Sequence, residues 1–157
     1  MRILAEVDAH QCGVNNVLVE TLPNSDLQTS NKICNRNLLI SASDDQTIHI
    51  CYFDITEEEE RRVVFVNHIS VSRLACNTGI TGLQYFGGLI FSCGSDQRLN
   101  VWEIVKNDEK LSLKFKTGIF IEVPDVSSLL VVPQEENQFL CFITGYLAMQ
   151  TIKLIKC

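Results

Sequence analysis

With 157 residues the chain has the length of one domain, and hydrophobic residues at 46% exclude wholesale disorder. Lys and Arg number 13 against 19 Asp and Glu, a formal charge of −6. That balance excludes a generic polyanion binder, because affinity for phosphates grows with the cations that neutralise them.

No run of about 18 apolar residues marks a membrane span, so no membrane contact is expected. Glu6 and Asp8 interrupt MRILAEVDAHQ where a signal peptide needs an apolar stretch. The 7 cysteines form no CxxC pair, and most sit among apolar residues. This usage points to free thiols in a reducing, cytoplasmic compartment. His10, His49 and His68 are scattered, without the short spacings that zinc needs, so no metal site is expected.

Strand signals fill the chain in order. VNNVLVE (14–20), NLLISAS (37–43), QTIHICYF (46–53), RVVFVNHIS (62–70), ITGLQYF (80–86), LIFSC (89–93), RLNVWEI (98–104) and FLCFIT (139–144) are short and rich in β-branched and aromatic residues. Turn formers separate them. IHICYFDI puts Ile48, Ile50 and Tyr52 on one face and His49, Cys51 and Phe53 on the other, the pattern of a strand packed on both sides. The polar stretch LPNSDLQTSNKICNRN (22–37) reads as a surface insertion, since loop closure costs little extra per added residue. The charge run TEEEERR (56–62) reads as a solvated turn between outer strands.

The strands repeat. AHQCGVNNV (9–17) aligns with ACNTGITGL (75–83): Ala, two variable residues, a small one, Gly, a β-branched residue and a polar one. SASDDQTIHI then aligns with SCGSDQRLNV, placing Asp45 against Asp96, and a weaker third copy begins at PDVSSLLVV (124–132). Outer strands, RVVFVNHIS and LSLKFKTGIFIEV (111–123), lead from one copy to the next. The expected fold is therefore all-β: antiparallel four-stranded propeller blades, about three of them in an incomplete ring. The segments are an outer strand of a preceding blade (1–8), a blade (9–70), a second (71–123) and a degenerate last blade (124–157). On this reading the chain is part of a larger propeller.

At these residues the chain resembles the WD40-repeat family. That resemblance implies a buried polar chain in each blade, running from an Asp in a turn through a His to a Ser or Thr and a Trp. The first copy supplies His10, Ser41 and Asp45, with Cys51 where Trp is expected. The second supplies Ser92, Asp96 and Trp102, with Cys76 where His is expected. The third has no equivalent Asp in TGYLAMQ.

The order AHQCGVNNV, SASDDQTIHI, TGITGL, GSDQRLNVWEI, VPDVSSLLVV is also similar to the C-terminal blades of a narrower family. These are the large WD-repeat subunits that partner the tRNA wobble-position ribose 2′-O-methyltransferase. The resemblance covers Ala9 to about Ile155. It implies a non-catalytic scaffold whose protein partner, a tRNA ribose methyltransferase, holds the catalytic acids and the methyl donor, with tRNA reached through the complex. The alternative is a generic WD adaptor, a ubiquitin-ligase receptor or kinase scaffold.

His10, Ser41 and Asp45 also have the composition of a Ser-His-Asp hydrolase, but no G-x-S-x-G elbow accompanies them. No glycine-rich loop of Rossmann or Walker type is present, so no cofactor is expected. An interaction surface is expected in loops 10–13, 43–46, 75–79 and 94–97, with Gln46, Gln97 and Arg98 as its candidate contacts.

Overall fold

The computed structural model describes residues 6–22, 35–58, 61–72, 75–107, 110–135 and 138–155. They form eleven strands and, among the described residues, no helix. The first sheet has the order β1(Val14–Thr21)-β2(Asn35–Ser43)-β3(Ile48–Glu58)-β4(Arg61–Ser72). The second is β5(Ile80–Phe86)-β6(Leu89–Gly94)-β7(Arg98–Asn107)-β8(Lys110–Phe120), and the third is β9(Val126–Pro133)-β10(Gln138–Gly145)-β11(Met149–Ile155). Every pairing is antiparallel between chain neighbours. Where a tight turn joins two strands, as between β2 and β3, β5 and β6 or β6 and β7, nothing else is possible, because a parallel crossover needs a dozen or more residues.

The sheets stack face to face in chain order. β1 packs on β5 and β5 on β9, while β4 packs on β8. Two apolar layers fill the two joints. Leu38, Ile40, Ile48 and Ile50 of the first sheet meet Leu83, Ile90 and Trp102 of the second. Leu89, Phe91 and Val101, from the opposite face of the second sheet, meet Leu129, Cys141 and Ile143 of the third. Alternation along each strand explains why the second sheet is apolar on both faces. The result is an all-β arc of three antiparallel sheets in the manner of propeller blades, with no closed barrel.

The sequence places most elements well, with instructive differences. The charge run at 56–62 is largely strand, with the register setting Glu57 against Arg62 and Glu58 against Arg61. Backbone pairing in a long hairpin continues past the apolar positions, which composition alone does not show. β2 begins at Asn35, inside the stretch read as an insertion; residues 23–34 lie outside the described residues. The outer strand expected over 1–8 falls partly on residues 1–5, also outside them, and residues 6–8 are not in a strand. The third sheet has three strands where the blade plan has four.

Candidate functional site

The sequence-predicted network residues gather at one end of the first two sheets, where each second strand turns into the third. In the first sheet the turn Ser43–Gln46 closes with Gln46 N–H donating to the Ser43 carbonyl at 3.2 Å. Its Asp45 carboxylate then gathers the chain around it. Oδ2 accepts from Gln11 N at 2.8 Å, and Oδ1 accepts from Thr47 N at 3.0 Å and from the Thr47 hydroxyl. His10 Nδ1 lies 3.3 Å from Asp45 Oδ1 and 2.9 Å from Thr47 Oγ1, and its Nε2 lies 2.8 Å from Ser41 Oγ. One strand, one turn and the segment before β1 are thereby tied together.

The second sheet repeats the arrangement with other atoms. Asp96 Oδ2 accepts from Asn77 N at 3.0 Å, and Oδ1 accepts from Arg98 N and from the Cys76 thiol, each at 3.3 Å. Trp102 Nε1 donates to Ser92 Oγ at 3.1 Å. The first sheet thus has the His-Ser half of the chain and Cys51 at the indole position. The second has the Trp-Ser half and Cys76 at the imidazole position.

The electrostatics fit buried, structural roles. Burial pushes the Asp45 carboxyl up, but the Thr47 hydroxyl, the Gln11 and Thr47 N–H groups and the nearby His10 outweigh it and hold the pKa at about 2. Burial pushes the Cys76 thiol up to about 12, helped by the Asp96 charge it donates to. A thiol held neutral is a donor and a poor nucleophile.

His10, Ser41 and Asp45 have the connectivity of a hydrolase relay. Ser41, however, sits mid-strand and is 4% exposed, and the His10 side chain is 1% exposed. A nucleophile must meet its substrate, and this hydroxyl faces into the protein. The cavity of about 290 Å³ lies elsewhere, lined by Leu89, Phe91, Val101, Phe139 and Leu154 with Lys116 at its edge. It opens between the second and third sheets, where β8 has no fourth strand of the third sheet packed on it among the described residues. Lys116 is held by Glu103 at 3.2 Å. No group of three or more His, Cys, Asp or Glu residues is placed to hold a metal ion among the described residues.

The loops expected to form a surface do come together. Asp44 N–H donates to the Gly13 carbonyl at 3.0 Å, and Gly79 packs closely on Asp44, where an added Cβ would lie 2.6 Å from the carboxylate and 3.1 Å from the Asp44 Cα. Gln46 and Gln97 occupy equivalent left-handed positions, with φ of 70° and 57°. Gln46 and Arg98 are exposed. Gln97 is half-buried and bonded within the protein, its carbonyl accepting from Ile121 N at 2.8 Å.

Sequence reasoning missed the polar bridges between sheets. Asn15 Nδ2 donates to the Ile80 carbonyl at 3.1 Å and Asn16 Nδ2 to the Thr81 carbonyl at 2.9 Å. Thr81 Oγ1 donates in turn to the Val126 carbonyl at 2.5 Å. The repeat frame marks Asn15 and Thr81 as equivalent polar positions, but not what they bond.

No family model matches the chain, and no curated protein matches it. Among solved structures, the crystal structure of the computationally designed Ika4 protein aligns over 99% of each chain at 13% identity, with a TM-score of 0.37. That likeness is too distant to bear on fold or function.

Proposed function

We propose that the chain is a non-catalytic WD-repeat scaffold in the cytoplasm that supports 2′-O-methylation of the tRNA wobble nucleotide by a partner methyltransferase. The observation that carries the non-catalytic part is the equivalence of Asp45 and Asp96. Each accepts a backbone N–H from the segment before its sheet and another from its own turn. A residue set repeated in successive sheets with the same backbone partners is architecture, whereas a catalytic relay is needed once. The wobble-methylation part is supported by the order of motifs from AHQCGVNNV to VPDVSSLLVV. The charge of −6 suits a protein partner better than an unaided grip on RNA.

In this reading the methyl donor and the catalytic acids belong to the partner, and tRNA is met through the complex. The exposed turn residues Gln46 and Arg98 are the contacts to mutate first. Affinity capture of the tagged chain from its own cells tests the reading. A ribose methyltransferase in the eluate supports it. Ubiquitin-ligase or kinase subunits in its place would assign the chain to a generic WD adaptor.

A further inference from the structure

β8 is the end strand of the second sheet. It pairs with β7 along one edge, and among the described residues no strand pairs with the other. Each of its residues carries a backbone donor and an acceptor, so alternate residues turn theirs away from β7. The edge runs over 11 residues, Lys110–Phe120. β4 packs on the face of β8 and belongs to another sheet, so it leaves the edge uncovered. The openness of this edge follows from the strand order of the middle sheet itself.

A free edge invites another strand, and folded proteins blunt it with charge, twist or a bulge. β8 has its bulge at Lys116, since Trp102 pairs with Phe115 and Val101 with Thr117. Before the bulge the register is unbroken, from Asn107 opposite Lys110 to Trp102 opposite Phe115. Side chains alternate between two faces along such a run. Ser112 and Lys114 stand on one face, Leu113 and Phe115 on the other. Phe115 is 52% exposed, yet its ring is fixed edge-on to Trp102, with 5.1 Å between centroids. Lys114 is exposed. Glu103 stands opposite it in register, but the Glu103 carboxylate is held by Lys116 at 3.2 Å.

The charge of the strand is opposite to that of the chain. Lys110–Phe120 contains three Lys and no Asp or Glu, in a chain of formal charge −6. Charge of either sign would serve to blunt an edge. The acids that dominate this chain are absent from the one strand, which makes the edge selective as well as open.

We infer that the open edge of β8 takes an extended segment of a partner protein as a fifth strand, a segment in which acidic residues alternate with apolar ones. Backbone hydrogen bonds along the edge hold the segment, and its alternate side chains are read by the two rows of β8. Directly opposed residues share a face. A carboxylate therefore meets Lys114, and apolar side chains meet Leu113 and Phe115. A second copy of this chain is a poor occupant, because its own β8 brings the same lysines and no acid. Single-stranded RNA is also a poor one, because three cations in a chain of −6 neutralise few phosphates. The inference concerns the edge of one sheet and does not rest on tRNA methylation.

Fluorescence anisotropy on the full 157-residue chain tests this with a short labelled peptide of alternating Val and Glu. A Val-Lys peptide and an oligouridylate are the comparison probes. The expected result is saturable binding of the Val-Glu peptide alone. Amide hydrogen exchange followed by NMR should show that peptide protecting alternate amides of the run from Lys110 to Phe115. Lys114→Glu changes an exposed side chain, so far-UV circular dichroism should stay unchanged. The variant should bind the Val-Glu peptide about fivefold more weakly and should accept the Val-Lys peptide in its place. No binding of the Val-Glu peptide overturns the inference, as does protection that falls outside β8. So does equal binding of the two peptides, or a Lys114→Glu chain that binds them as the wild type does. Oligouridylate bound in preference to both peptides, with the same amides protected, overturns it in favour of an RNA site.

Discussion

Asp45 and Asp96 stand in the same turn of successive sheets and receive the same backbone donors: Gln11 N at 2.8 Å for the first and Asn77 N at 3.0 Å for the second. Each also binds the N–H two residues ahead, Thr47 at 3.0 Å and Arg98 at 3.3 Å. The aspartate is the clasp that joins a sheet to the segment entering it. What lies beyond the clasp differs, and the differences set graded costs.

Asp45 also holds the Thr47 hydroxyl and the His10 ring, whereas Asp96 holds the Cys76 thiol. Removing an ionised acceptor leaves its donors unsatisfied, at about 1 to 3 kcal/mol. Asp45→Ala should therefore destabilise by about 3 kcal/mol and Asp96→Ala by about 2 kcal/mol. Urea midpoints, with the slope unchanged, give the comparison. Equal or reversed losses would contradict the graded network.

The two half-networks are complementary, which makes Cys76→His informative. An imidazole there has Asp96 on one side and Ser92 with its Trp102 bond on the other. Completing a buried polar chain strengthens its members. Stability should rise by about 1 kcal/mol, read as a higher thermal midpoint. A loss would show that the space beside Gly94, where a Cβ would lie 3.3 Å from the Cys76 sulfur, is too tight for the larger ring.

Acid should destabilise the fold in two stages. His49 is buried, its ring centroid 5.8 Å from that of His10, and its Nδ1 has no hydrogen-bond partner among the described residues. Burial, then the His10 charge, lower its pKa from 6.5. As pH falls below 6.5 the unfolded chain takes up this proton before the folded one does, so stability present above that pH is lost below it. The Asp45 carboxyl, lowered from 3.8 to about 2, adds stability that is present above 3.8 and lost as pH falls toward 2. That second loss is roughly 2 kcal/mol. Chemical denaturation across this range measures both stages. His49→Asn, which copies Asn100 at the equivalent position, should flatten the upper stage alone. A stability independent of pH between neutrality and about pH 5 would refute the first stage.

Thiol labelling reports on the joints. Burial raises the pKa of Cys51, of Cys93 to about 12 and of Cys141 to about 11, while Cys12 is exposed. Of these five thiols, iodoacetamide at neutral pH should modify Cys12 and leave Cys51, Cys76, Cys93 and Cys141 untouched until denaturant is added, as peptide mass spectrometry would show. Rapid modification of Cys93 or Cys141 would mean that the second joint opens.

Much of this fold was legible in the sequence because alternation and turn residues recur in the same order. ITGLQYF was read as a strand over 80–86 and is β5. SASDDQ and CGSDQ both end in a glutamine at positive φ, a shared backbone strain visible only as a shared word. Asn15, Asn16 and Thr81 were not legible as bridges. A polar residue at the start of a strand reads the same whether it meets water or a neighbouring carbonyl. Gln97 was read as a surface contact, although its backbone is claimed by Ile121. His49, picked out only by alternation, has an unsatisfied nitrogen that no sequence pattern announces.

The most direct test of the proposed function is the 2′-O-methylation of the wobble nucleotide in cells. The chain would be deleted, then restored either as wild type or as Ser41→Ala. The account predicts that deletion abolishes the modification and that both forms restore it, because Ser41 is a buried member of the blade network and performs no chemistry. Wobble methylation left intact after deletion would contradict the scaffold role. Rescue by wild type with none by a folded Ser41→Ala chain would contradict the non-catalytic reading.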